Sequence, residues 1–286
     1  MTKKITISYK AQLTAILCTV MSAPGIGYAA SFDYGGKAGL EHFKWEEFDT
    51  DGSKFLTESG TRQIVSGFLG NTLSTKRPFI YRAEAKIYFG TVNYDGQTQD
   101  GVPVQSDSTY SGLNVKGEVG FRAGNIDSAF AWDFVGRAGL DTWVRDIDNS
   151  VDSSGRYVSG AREQYSIMNL GAGTGPHWRT DGWQGRLIAG FKYPFWTDEY
   201  IKKEDSGFDE DINLEPKGRL SAFLNFSNDI RLTNKLWLTI DAFYDSYRFD
   251  QSNKESTTDN GQPVLVWQPE SKQDNYGMQV GVTVSY

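Results

Sequence analysis

From residue 31 to the carboxy terminus, apolar and polar residues exchange places at every second position in segment after segment. That is the period of a strand whose two faces meet unlike surroundings. The last segment is the cleanest: Tyr276, Met278, Val280, Val282, Val284 and Tyr286 fall on one face, and Gly277, Gln279, Gly281, Thr283 and Ser285 on the other. Elsewhere Tyr81, Ala83, Ala85, Ile87 and Phe89 alternate with Arg82, Glu84, Lys86 and Tyr88. Leu113, Val115, Val119 and Phe121 alternate with Asn114, Lys116, Glu118 and Arg122. Trp132, Phe134, Ala138 and Leu140 oppose Asp133, Arg137 and Asp141, and Leu238, Ile240, Ala242 and Tyr244 oppose Thr239, Asp241, Phe243 and Asp245. Arg186, Lys192 and Arg219 extend the charged face to the seventh and eighth segments.

The pattern predicts ten strands, over 32–48, 55–69, 79–94, 110–123, 129–146, 157–173, 183–196, 218–227, 236–250 and 276–286. The second and sixth have weak contrast, at 62–66 and 164–169, and each is expected to hold a bulge. Connections after even-numbered strands are compact: 70–78, 124–128, 174–181 and 228–235. Those after odd-numbered strands, 95–109, 147–156, 197–216 and 251–275, are longer and rich in Asp, Gly, Ser, Asn, Gln and Lys, with Asp49-Thr50-Asp51-Gly52 a tight exception. This parity is the layout of a transmembrane barrel, with short turns on one side and long loops on the other. A soluble sandwich has no reason for it.

The final stretch, ending on an aromatic with apolar residues at every second position before it, resembles the carboxy-terminal signature of bacterial outer-membrane β-barrels. Tyr286 stands where that class usually carries Phe. The resemblance implies an all-β fold: one antiparallel transmembrane barrel in the outer membrane of a Gram-negative bacterium, with short turns in the periplasm. It also implies insertion by the barrel assembly machinery, with 276–286 as the recognition element, and lipid and lipopolysaccharide as surroundings.

Composition agrees. Hydrophobic content is 38 % and mean hydropathy is −0.49. After the amino terminus nothing approaches the roughly 18 to 20 continuous apolar residues of a spanning helix. A barrel escapes that requirement because alternate residues of each strand face lipid. Aromatics reach 14 %, and Tyr94, Tyr110, Trp143, Tyr157, Phe195, Trp196, Tyr247 and Phe249 near the long loops are expected to mark a membrane interface, with ordinary core packing as the other reading.

Residues 1–29 read as a cleavable secretory signal: Lys3, Lys4 and Lys10, then an apolar run over 11–23, then small residues before Ala30. The barrel domain is then 30–286. A lipoprotein leader competes, because Cys18 lies in the run, but Leu17 stands where a small residue is wanted. Cys18 is the only cysteine, so cleavage leaves no disulfide and no thiolate metal site. The formal charge of −7 would become about −10 on removal of the leader, which argues against nucleic acid.

The charged face, Arg82, Glu84, Lys86, Lys116, Glu118, Arg122, Asp133, Arg137, Asp141, Arg186, Lys192, Arg219, Asp241 and Asp245, mixes both signs on nearly every strand. It lines either a water-filled pore or a narrow lumen closed by ion pairs. Ten strands enclose little more than eight, whose interior side chains already fill, and this favours the closed lumen.

Catalysis finds little support. The length is similar to ten-stranded barrels such as omptins, yet the only histidines are His42, within the first strand, and His177, in an expected periplasmic turn. Neither belongs to the Asp-x-His pair of an omptin or the His-x-Ser pattern of outer-membrane phospholipases, so no catalytic residue is assigned. Asp49 to Ser53 fails the register of a calcium loop, because Gly52 comes fourth rather than sixth. The acidic stretch 198–215 reads as a solvated loop, with divalent-cation binding the alternative. No metal or cofactor is assigned. The expected role is structural or surface-interacting, around a charge-lined narrow lumen; alternatives are a small-solute channel, an enzyme, and a secreted soluble β-protein.

Overall fold

The computed structural model describes residues 32–73, 78–97, 101–124, 128–203, 206, 208–259 and 261–286. Ten long strands form the wall: β1 (Asp33–Phe48), β2 (Lys54–Gly70), β3 (Phe79–Gln97), β4 (Pro103–Ala123), β5 (Phe130–Ile147), β8 (Arg162–Arg179), β9 (Trp183–Ile201), β12 (Ser221–Arg231), β13 (Leu236–Asp250) and β16 (Glu270–Ser285). Each pairs antiparallel with its neighbour. The ring closes where β16 lies between β13 and β1, with Val280 opposite both Ile240 and Ala38. At the end of the seam, Tyr286 and Phe32 exchange backbone hydrogen bonds of 3.0 and 3.2 Å. Six short strands decorate the loop side: the hairpin β6 (Ser150–Val151) with β7 (Tyr157–Val158), the additions β10 (Ile212–Leu214) and β11 (Lys217–Gly218), and the hairpin β14 (Glu255–Asp259) with β15 (Gln262–Val266).

The outward face explains the medium. Leu40, Val65, Ile87, Phe89, Val119, Phe121, Phe134, Leu170, Phe191, Met278, Val280 and Val282 are all exposed, on consecutive strands around the ring. So continuous an apolar surface is stable only against lipid. A bilayer needs roughly 9 to 11 residues per tilted strand, whereas β3 and β4 run to 19 and 21. Beyond the apolar belt their outward residues turn polar, as in Thr91, Asn93, Asp95, Gln105, Asp107 and Thr109. The wall therefore continues past the bilayer on the side of the long loops.

That extension corrects several sequence expectations. Most of 95–109 is strand, and the connection shrinks to 98–102, because a polar outward face above the membrane alternates less visibly than a lipid-facing one. β8 begins at Arg162 rather than 157 and runs to Arg179, through the expected turn at 174–181. β12 starts at Ser221 and β16 at Glu270. Register breaks occur at Glu47/Phe48 and at Met168/Asn169; the extra residues are Phe55 and Phe195, so the second bulge lies on β9, opposite the sixth strand. From Gln63 to Ser66 the pairing with β3 is regular; contrast is weak there because Ile64 points inward and is buried. The turn at Asp49 is a tight hairpin: Asp49 N donates to Ser53 O at 2.8 Å, Gly52 N to Asp49 O at 2.9 Å, and Gly52 takes φ +82°. The expected leader, 1–29, lies outside the described residues.

Candidate functional site: the barrel lumen

Inward side chains fill the barrel in three tiers. At the turn side, the segment after β2 folds back into the opening. Leu73 N donates to Asp33 at 2.8 Å, Gln184 donates to Leu73 O at 3.4 Å and Arg122 to Thr72 O at 3.3 Å. Above it, Arg122 grips Asp133 with two hydrogen bonds of 2.8 and 3.0 Å, and Arg186 bridges Asp133 at 2.8 Å and Glu118 at 2.6 Å. The planar guanidinium fork suits such bidentate work.

The middle tier is a mesh. Glu84 receives Lys37 at 2.9 Å, Lys116 at 3.0 Å and Arg82 at 3.1 Å. Lys37 also reaches Asp241 at 2.6 Å, and Glu41 joins Arg62 at 2.7 Å to Lys86 at 2.9 Å. Lys192 pairs with Asp245, while Arg137 lies 3.9 and 4.0 Å from Glu118 and Asp245 and packs its guanidinium on the Phe223 ring at 3.9 Å. Asp141 accepts from the Tyr88 hydroxyl at 2.8 Å. Between these groups is a cavity of about 90 Å³, room for several waters.

The upper tier is apolar and aromatic: Phe43, Trp45, Leu56, Ile64, Tyr88, Val92, Tyr110, Trp143, Tyr165, Ile167, Tyr247 and Phe249 form one buried cluster. Arg62 lies between tiers, its guanidinium 4.1 Å from the Phe43 ring and 4.4 Å from the Tyr88 ring. Over the cluster sits Arg145, 2.8 Å from Glu163, 3.1 Å from Glu58 and 3.5 Å from Glu47. Glu58 also accepts the hydroxyls of Ser108 and Tyr110. The connection after β13 completes the lid, where Gln268 donates to Glu47 at 3.1 Å and accepts from the Tyr165 hydroxyl at 3.4 Å.

The structure brings thirteen of the fourteen charges expected on the inner face into this interior; Arg219 is the exception. It sits half exposed at the loop-side rim, 3.2 Å from Asp250 and 3.0 Å from Glu270, because the chain breaks from the ladder between β11 and β12. Sequence reading missed Lys37, Glu41, Glu47, Glu58, Arg62 and Arg145. Their signal was available, since Lys37, Glu41 and Glu47 are spaced by even numbers on β1, as are Glu58 and Arg62 on β2. It was masked by inward Phe43, Trp45 and Ile64, which share that face.

The aromatic expectation needs a larger correction. Tyr110, Trp143, Tyr247 and Phe249 point inward and are buried, Tyr94 packs on the same cluster, and Tyr157 lies on the β6–β7 hairpin. Only Phe195 and Trp196 face outward near the loop side, both exposed through the bulge. His177 is buried on β8 rather than in a turn, and His42 faces outward, its ring 4.9 Å from that of Tyr276. In the acidic stretch, Glu204 and Asp205 lie outside the described residues. Asp211 accepts from Tyr200 at 2.7 Å and Lys203 N at 3.1 Å, and Asp209 from Gly261 N at 3.0 Å, so these carboxylates tie the loops together. Tyr276, Met278, Val280 and Val282 present their side chains to lipid on the closing strand.

No protein-family model and no curated protein sequence matches the chain. Solved structures do. The outer membrane protease OmpT of Escherichia coli superposes with a TM-score of 0.64 at 11 % identity, over 92 % of this chain and 99 % of that one. The translocator domain of the autotransporter NalP from Neisseria meningitidis gives 0.45 at 11 % identity, over 97 % and 96 %. At such identities the likeness is one of fold, that of the bacterial outer-membrane β-barrel.

Proposed function

We propose that this outer-membrane β-barrel is a sealed structural barrel that carries a polar upper wall and its connections at the cell surface. The observation behind this reading is the lumen filling: ion-paired lower tiers with a cavity of about 90 Å³ between their side chains, beneath an aromatic upper tier. Buried pairs of this density contribute little net stability over apolar packing, but they seal a polar interior without leaving a charge alone. On this reading Arg62, Glu84, Asp133 and Arg145 are closure residues. The strand 276–286 serves the barrel assembly machinery, and lipopolysaccharide and lipid are the standing partners. The fold shared with a protease at 11 % identity brings no catalytic role with it.

The test is conductance of the refolded barrel in planar lipid bilayers at molar salt, with heat-dependent gel mobility reporting folding. A folded barrel without steady current is expected. A steady, salt-dependent current would replace this reading with a small-solute channel whose cavity charges set selectivity, and failure to insert would remove the membrane role itself.

A further inference from the structure

At the loop-side mouth the inward carboxyl groups outnumber the cations. Glu47, Glu58, Glu163 and Glu199 come from β1, β2, β8 and β9, and Arg145 is the one cation paired among them in the described residues. Three of the four have their donors. Glu47 takes Arg145, the Trp45 indole at 2.8 Å and Gln268 at 3.1 Å. Glu58 takes Arg145 and the hydroxyls of Ser108 and Tyr110, and Glu163 takes Arg145 at 2.8 Å and the Tyr165 hydroxyl at 3.3 Å. Glu199 is different: it is 1 % exposed, has no ion pair among the described residues, and its Oε2 has no hydrogen-bond partner there.

Its surroundings are apolar on one side. β10 lies antiparallel to the upper end of β9, with Leu214 opposite Glu199 and Ile212 opposite Ile201. Ile201, Ile212 and Leu214 are buried together, with Phe208 and Val266 packed on them. On its other side Glu199 is paired with Tyr165 of β8. The Tyr165 hydroxyl has one hydrogen and three acceptors around it: Glu163, the Gln268 Oε1 at 3.4 Å, and the Glu199 carboxyl. An ionised Glu199 would place a charge beneath the apolar cap with no donor of its own, at a heavy desolvation cost. A neutral Glu199 supplies the missing hydrogen, since its O–H donates to the Tyr165 oxygen while Tyr165 donates to Glu163.

Glu199 stands above the lipid belt, because the outward apolar residues of β9 end at Trp196, and Asp198 and Tyr200 follow. Burial, and then the neighbouring Glu163, push its carboxyl well above the ordinary glutamate value of 4.5. Burial raises Glu47 too, but that group keeps three donors. Burial also holds Tyr165 well above the ordinary tyrosine range and pushes Tyr94 on β3 up to about 12, so both stay neutral. Around β10, burial raises Asp198, on the outer side of β9, while Asp211 is lowered by its bonds from Tyr200 and Lys203 N. Asp211 and Glu215 flank β10 in exposed positions.

We propose that Glu199 is a proton-operated latch: as the neutral acid it donates to Tyr165 and lets β10 lie closed over the mouth, and loss of its proton to solvent releases β10. A carboxyl raised in the closed state contributes stability that is fully present below the ordinary value and lost as pH rises through the raised one. The cap is therefore tightest in acid and loosens toward alkaline pH. The latch stands on the packing beneath β10 and not on whether the lumen conducts.

The experiment is hydrogen exchange of the folded barrel in lipid bicelles, from about pH 5 to about pH 9. It is read by mass spectrometry on peptides covering Ile212–Leu214, and each rate is divided by that of an unstructured chain at the same pH. Protection should be highest in acid and fall by up to about tenfold per pH unit above the raised value. Glu199→Gln keeps a donor and has no proton to lose, so it should hold the acid-state protection throughout. Glu163→Gln removes a neighbouring negative charge and should move the fall to lower pH. Wild-type protection that does not change with pH would overturn the latch, whether or not either variant folds. A fall shared by Glu199→Gln would also overturn it, by assigning the titration to another group such as Asp198. Millimolar calcium chloride separates the other source of positive charge: protection restored at high pH in the wild type but not in Glu199→Gln would mean a metal-neutralised carboxylate and overturn the proton assignment. The readout is local to β10, so a conducting lumen would remove the sealed reading and leave this test standing.

Discussion

Arg62 shows what one inward residue does in this barrel. It is buried, bonded to Glu41 at 2.7 Å, and sandwiched by the Phe43 and Tyr88 rings. Arg62→Met keeps the bulk and removes the charge, so Glu41 is left with Lys86 alone. Breaking a buried pair from one side costs about 3 to 5 kcal/mol, and the variant should unfold at clearly lower urea concentration, read by tryptophan fluorescence and by gel mobility. An unchanged midpoint would mean that the ionic mesh is not what holds the interior. In the β6–β7 hairpin, Asp152 is the equivalent single point. It accepts from Ser154 Oγ at 2.6 Å, from Ser154 N at 2.8 Å and from Arg156 N at 2.9 Å, and these bonds hold its carboxyl well below the ordinary aspartate value of 3.8. A depressed pKa means stability that is fully present above the ordinary value and lost as pH falls through the lowered one. The amide protons of Ser154 and Arg156 should therefore keep their hydrogen-bonded NMR shifts at pH 3.8 and lose them only below it, while Asp152→Asn should weaken the hairpin wherever the wild-type carboxylate is ionised, and least at the lowest pH. A midpoint at or above 3.8 would contradict this.

Among the elements, the connection 251–269 carries the least sequence signal and much of the closure. Ser252 N donates to Gln268 O at 3.0 Å and Gln268 N to Ser252 Oγ at 2.8 Å, pinching the base of the β14–β15 arm. The Gln268 side chain then enters the mouth against Glu47 and Tyr165. Gln268→Ala should free the arm while leaving the wall intact. Trypsin should cut after Lys254 several-fold faster than in the wild type, with the heat-dependent mobility shift unchanged. An equal cutting rate would show that the pinch, not the glutamine, anchors the arm. The same scale explains why strand bounds drifted. Where both wall faces are polar, as at β3 and β4 above the belt, the period of two has no hydrophobic contrast to show it.

At the scale of the whole molecule, two asymmetries matter. Along the axis, the lumen is ionic toward the turns and aromatic toward the loops; on the sealed reading an ion would have to displace both tiers, and the bilayer measurement tests that. Around the axis, Asp95, Asp107 and Asp146 stand on the outward face of β3 to β5 above the belt, whereas the seam strands mix Lys44, Arg248 and Lys272 with Asp250, Glu270 and Asp274.

What the sequence determined by itself was the period of the wall. Alternation in 81–89, 113–122, 132–141, 238–245 and 276–286 depends only on each strand meeting lipid on one face, so the number of long strands, their antiparallel order and thirteen of the inward charges could be read from local pattern, but not Lys37, Glu41, Glu47, Glu58, Arg62 and Arg145. What only the tertiary structure decided was anything set by a residue far along the chain. Lys37 meets Asp241 across 204 residues, Gln268 meets Glu47 across 221, and Tyr110 and Tyr247 are buried in the lumen rather than anchored at an interface because of what stands opposite them inside the ring. A two-residue period tells which face a side chain is on; closure of the barrel tells what shares that face, and the packing of the lumen depends on the second.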